Sequence, residues 1–130
     1  MRQLSFISEY VDDFSYAKNA KEEKQIQLET SVKFTIRFAE KNNLVVGDAI
    51  IIIHDAGNEG IFRIKFHHLS QFRLETPVTD DAGKKSVHME AAQILYPLWN
   101  STLRSFCATV NIPIIQLPPY RVSEDRIQTT

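Results

Sequence analysis

The chain has 130 residues, 43% hydrophobic and 24% charged, with fifteen Lys and Arg against sixteen Asp and Glu for a formal net charge of -1. That size fits one domain over residues 1–130, the composition excludes a disordered polymer, and the lack of a basic block sets nucleic acid aside as a partner. A lone Cys107 excludes an internal disulfide and points to a reducing cytoplasmic setting, while residues 1–8 lack the apolar core of a secretory signal and no stretch is long enough for membrane insertion.

Residues 4–16 (LSFISEYVDDFSY) place Leu4, Phe6, Tyr10, Phe14 and Tyr16 at even positions, interrupted only by Ser8 and Asp12. That period of two predicts a long half-buried strand, bent near Asp12 and Asp13. Residues 18–24 (KNAKEEK) carry charge without apolar anchors and read as a solvated connection. From Ile26 the alternation returns: Leu28, Val32, Phe34, Ile36 and Phe38 face one way and Lys33, Thr35 and Arg37 the other, predicting a second, amphipathic strand. Lys41, Asn42 and Asn43 supply a turn. Residues 45–53 are mostly apolar and predict a third strand covered on both faces.

Residues 54–60 (HDAGNEG) read as a turn and residues 61–66 (IFRIKF) as a fourth strand. Residues 75–87 (ETPVTDDAGKKSV), polar and containing Pro77 and Gly83, predict the one long connection. Within residues 89–110, Ala91, Ile94, Leu95, Leu98, Phe106, Cys107 and Val110 recur at helical spacing. Pro97 inside that stretch predicts a kink or a fresh helix start, and Pro113 ends the helix before an extended segment over 114–119. The expected class is α+β: a four-stranded antiparallel sheet packed by one long helix and a short C-terminal segment. One helix leaves sheet edges and apolar surface uncovered, so a homo-oligomer is expected.

Catalytic and metal chemistry find little support. His67 and His68 are adjacent on a strand and point to opposite faces, and no Cys-x-x-Cys or His-Glu-x-x-His accompanies them, His54-Asp55 or His88. They read as surface imidazoles, and Cys107 as a small buried hydrophobe. Gly57-Asn58-Glu59-Gly60 lacks the Lys-Ser/Thr of a phosphate loop. Alternation separates Glu9, Asp12 and Asp13 across the sheet. No enzyme activity, metal or cofactor is expected.

Ile94-Leu95-Tyr96-Pro97, followed by Asn111-Ile112-Pro113, Gln116-Leu117 and Pro118-Pro119, resembles the main helix and following loop of the SecB protein-export chaperones. Residues 10–16 (YVDDFSY) and Gly60-Ile61-Phe62 are similar to that family's first strand and to its strand before the helix, so the matching blocks touch both ends and the middle of the chain. The resemblance implies a molecular chaperone of protein transport and translocation that holds unfolded or precursor polypeptides in exposed apolar grooves. It further implies dimers joined through sheet edges and paired through helices into a homotetramer.

By position, the resemblance assigns client binding to Phe62, Tyr96, Trp99, Ile112, Ile114 and Leu117, and a SecA-type contact to Asp13 and Asp55, with Ala17 where the family carries a glutamate. Each of the six is also a residue type that fills cores; Trp99, beside the main apolar stripe, is expected to be semi-exposed. A last helix reduced to residues 123–128, with no acidic tail behind it, favours a dedicated client, such as an antitoxin, over delivery to SecA. Two other classes compete: a non-catalytic adaptor binding one folded partner through its sheet edge, and a hot-dog-like thioesterase.

Overall fold

Period-two alternation builds most of the sheet. The computed structural model describes residues 4–18, 27–39, 43–57 and 62–118, and contains strands β1 (Leu4–Lys18), β2 (Leu28–Ala39), β3 (Leu44–Asp55) and β4 (Phe62–Leu74), then helix α1 (Asp81–Thr109). The strands form one antiparallel sheet in the order β1-β4-β3-β2, so β1 and β2 are its edges. Phe34, Ile36 and Phe38 of β2, Val45, Ala49, Ile51 and Ile53 of β3, and Phe62, Ile64, Phe66, Phe72 and Leu74 of β4 are buried on one face.

Two expectations are corrected here. β3 is buried on one face only; Leu44, Val46, Ile50 and Ile52 on its other face are half-buried. β4 continues eight residues past Phe66, with His68 and Ser70 taking inward positions between the buried Phe66 and Phe72. Gly47 leaves room for its neighbours: a Cβ there would crowd the Ser70 hydroxyl and stand 3.1 Å from Phe34 Cε1.

β1 does not keep a single alternation. Its register against β4 shifts between Phe6 and Ser8 and again between Asp12 and Ser15, and Asp13 takes a left-handed backbone with φ 55. The predicted bend is therefore a β-bulge, and each extra residue reverses which parity faces inward. Leu4 and Phe6 pair with the buried Leu74 and Phe72, yet Tyr10 pairs with Leu69 on the outer face and Val11 with the buried His68.

The helix begins eight residues before Met89. Asp80 caps it, its Oδ1 accepting from the Gly83 amide at 3.0 Å, and Asp81 lies in the first turn near the positive end of the helix dipole. A Cβ on Gly83 would meet Asp80 Oδ1 at 2.5 Å and Val78 Cγ1 at 2.4 Å, so this glycine serves the cap instead of breaking the helix. Asp80→Ala is expected to lower stability by about 1 kcal/mol, read as a shift in the denaturant midpoint at unchanged slope.

α1 runs unbroken through Pro97, with neither a new start nor an end there. Its C-terminus closes in a Schellman motif: Asn111, at φ 58, donates to the Ala108 carbonyl at 3.3 Å and Ile112 to that of Cys107 at 3.0 Å. Val87, His88, Ala91, Ala92, Leu95, Trp99, Leu103 and Cys107 make its buried stripe. No helix among the described residues is long and apolar enough to cross a membrane. Residues 58–61, Pro119 and the 123–128 segment lie outside the described residues.

Candidate functional site

After the Schellman turn, residues 112–118 run back without regular secondary structure, and α1 pins them. The Tyr96 hydroxyl donates to the Leu117 carbonyl at 2.5 Å, and the Leu117 amide donates to Asn100 Oδ1 at 2.8 Å. Ile112 and Ile115 pack partly buried against the core, and Leu117 is buried. Ile114 points outward with 63% of its surface exposed. An aliphatic residue so exposed on a tethered segment is available to another chain.

A second apolar row lies along the edge strand. Phe6, Val11 and Phe14 are exposed on the helix side of β1, and Ile7 at its first bulge, whereas Tyr10, 61% exposed, faces the outer side of the sheet. Phe14 stacks on Phe66 with centroids 5.4 Å apart and meets Phe106 of α1 at 4.4 Å; Tyr16 meets Phe106 at 5.1 Å. These rings form a partly open aromatic rim between β1 and the helix. Its members on β1 were not singled out from the sequence, because the bulges hide which of them face the helix.

Of the six positions assigned to client binding, Tyr96, Ile112, Ile114 and Leu117 are brought together along the returning segment. Phe62 and Trp99 are not: both are in the core, and the expected semi-exposure of Trp99 is corrected to full burial. Leu117 is likewise covered. Asp13 sits on the β1 bulge and Asp55 at the end of β3, separated by β4 and by about four residues along the strands, so they form no joint acidic patch. Ala17 pairs with Arg63.

Trp99 is oriented by a polar chain inside the core. Its Nε1 donates to His68 Nδ1 at 3.3 Å, and His68 Nε2 lies 2.5 Å from Glu9 Oε2. An indole can only donate, so Nδ1 must be the accepting nitrogen and Nε2 carries the proton given to the carboxylate. This chain ties β1, β4 and α1 together. It resembles an acid-imidazole relay, but the third member is an N–H donor with no nucleophilic capacity. The reading of His68 and His88 as surface imidazoles is corrected, since both are fully buried. His67, half-exposed on the outer face, lies 2.5 Å from Asp48 Oδ1. Burial lowers the His88 pKa from 6.5 to about 4. No group of three or more His, Cys, Asp or Glu among the described residues could hold a metal ion.

No family model and no curated protein sequence matches the chain. Among solved structures, the Mycobacterium tuberculosis Rv1957 SecB-like chaperone, in complex with a ChAD peptide from the Rv1956 HigA1 antitoxin, superposes with a TM-score of 0.69 at 10% identity. The match covers 89% of this chain and 86% of that one. A protein of unknown function from Streptococcus agalactiae matches with a TM-score of 0.51 at 10% identity, over 88% of this chain and 96% of that one. The four-stranded antiparallel sheet with one long helix is thus a SecB-like fold.

Proposed function

We propose that this chain is a SecB-like holding chaperone, non-catalytic and cytoplasmic, that binds unfolded polypeptides on the apolar surface its single described helix leaves open. The observation carrying this reading is the exposed Ile114 on its tethered segment together with the exposed Phe6, Val11 and Phe14 on the helix side of β1. The SecB-like neighbour, solved with an antitoxin peptide, supports a polypeptide client at the level of the fold, and an antitoxin is the client class it favours. Fully burying an aliphatic or aromatic side chain contributes about 1.5–3 kcal/mol, so several shallow contacts along one client add up without strict sequence preference. The unpaired edge of β1 offers main-chain hydrogen bonds to a client strand or to a second copy, which fits a homo-oligomer.

The test is light scattering of an unrelated, chemically denatured client. The chain is expected to suppress its aggregation at stoichiometric amounts, and Ile114→Asp is expected to raise the amount required several-fold while leaving the far-ultraviolet circular dichroism unchanged. No suppression by the wild-type chain would remove the reading and favour an adaptor for one folded partner.

A further inference from the structure

The outer face of the sheet carries its own pattern. Cross-strand pairing aligns six rows on that face, and down its middle Leu44, Val46, Ile50 and Ile52 of β3 form an aliphatic ridge, interrupted at its centre by Asp48, whose carboxylate is turned to His67. Lys33 and Arg37 of β2 flank the ridge on one side, paired with Ile50 and Val46. Arg63, Lys65 and Arg73 of β4 flank it on the other, paired with His54, Ile52 and Leu44.

Among the described residues, two of the three carboxylates on this face are engaged by imidazoles. Asp48 meets His67, Glu29 lies 3.7 Å from His54 Nε2, and Asp12 is the cross-strand neighbour of His67. None of the five flanking cations is ion-paired to a carboxylate among the described residues. Arg63 Nε, moreover, is buried without a hydrogen-bond partner among them. Arg37, Arg63 and Arg73 carry planar guanidiniums, and a carboxylate accepting from such a fork does so in its plane.

We propose that this outer face docks an acidic amphipathic helix of a partner protein, its apolar stripe on the β3 ridge and its carboxylates between the two rows of Lys and Arg. A helix is the ordinary cover for one face of an antiparallel sheet, as α1 is on the inner face here. The ridge from Leu44 to Ile52 spans about 27 Å, the length of a helix of roughly 18 residues. The site is distinct from the client surface and goes beyond the holding function: it would attach a partner while the inner rim and returning segment remain accessible.

The probe is a fluorescein-labelled peptide of about that length with leucine along one helical stripe and glutamate elsewhere; a matched peptide with lysine for glutamate is the control. Fluorescence anisotropy with the full chain is expected to show binding of the acidic peptide alone. That binding should fall about tenfold or more in the variant combining Arg37→Glu with Lys65→Glu, and weaken steeply with added salt. Lys33→Gln with Arg37→Gln, a milder pair at exposed positions, is expected to give a smaller loss of the same kind and guards against misfolding of the first variant. Client holding should be unchanged in both.

Equal binding of the two peptides, or binding untouched by either pair of substitutions, would overturn the proposal. So would displacement of the acidic peptide by a short duplex oligonucleotide at lower concentration, which would make the face a polyanion site. Loss of self-association in the charge-reversed variant would assign it to a second copy of the chain instead.

Discussion

Trp99→Ala is expected to destabilise the chain by about 3–5 kcal/mol, a large share of the roughly 5–15 kcal/mol that holds an ordinary domain folded. The indole is fully enclosed, packs edge-on against Phe34 with centroids 5.4 Å apart, and gives its N–H to His68. Removing it opens a cavity between helix and sheet and leaves a buried imidazole nitrogen without its donor. Trp99→Phe keeps most of the packing and should cost about 1–3 kcal/mol from the lost hydrogen bond alone. Urea unfolding of both variants checks the pair. A Trp99→Ala chain that kept wild-type stability yet lost client holding would return the residue to the binding surface, against the burial seen here.

The second large effect is on pH. His88 is fully buried beside the Phe34 ring, and its pKa falls from 6.5 to about 4 because burial disfavours the charged imidazole. Below pH 6.5 the unfolded chain takes up a proton here and the folded chain does not until about pH 4. The stability contributed by the neutral imidazole is therefore complete above pH 6.5 and is lost as pH falls toward 4, by about 3 kcal/mol in total. His88→Leu is expected to flatten this part of the pH profile, so that the difference in unfolding free energy between pH 7 and pH 5 shrinks by about 2 kcal/mol. An unchanged slope in that variant would show that other groups carry the acid sensitivity.

Much of the architecture was legible because β2 and the first half of β4 obey one simple period, and β3 stands out as a continuous apolar run whose alternation appears only in its burial. β1 was harder. A single alternation from Leu4 to Tyr16 fits the letters, yet each bulge inserts a residue that reverses parity, so Tyr10 faces outward and Val11 inward. Asp12-Asp13 was a visible hint, since aspartate tolerates left-handed backbone, but nothing in the sequence marks Ile7 as an insertion. The second half of β4 was hidden by His68 and Ser70, polar residues at inward positions. His68 is tolerated there because Glu9, fifty-nine residues away, and Trp99, thirty-one away, satisfy its ring, and such partners are invisible to a local pattern. The helix start was missed for a related reason: its first turns carry Gly83, Lys84 and Lys85, and the Asp80 cap looks like loop chemistry until the chain is folded.

The candidate site was readable in part. The Asn-Ile-Pro after the helix does end it, and Tyr96 and Leu117 do meet. Trp99 could not be placed, because its position relative to the stripe shifts once the helix is extended backward and Leu103 joins the buried face. The basic outer face escaped notice because its members come from two strands separated by β3, and no window of sequence contains them together.

The irregularities of β1 have a further consequence for solubility. A protein that presents aromatic side chains on an edge strand is in danger of stacking into fibrils, each copy templating the next. Between its two bulges this strand offers only residues 8–12 in unbroken register, and the left-handed kink at Asp13 turns the ladder away from a straight continuation. A short visiting segment can pair with five residues; an endless cross-β column cannot be seeded from so brief a stretch.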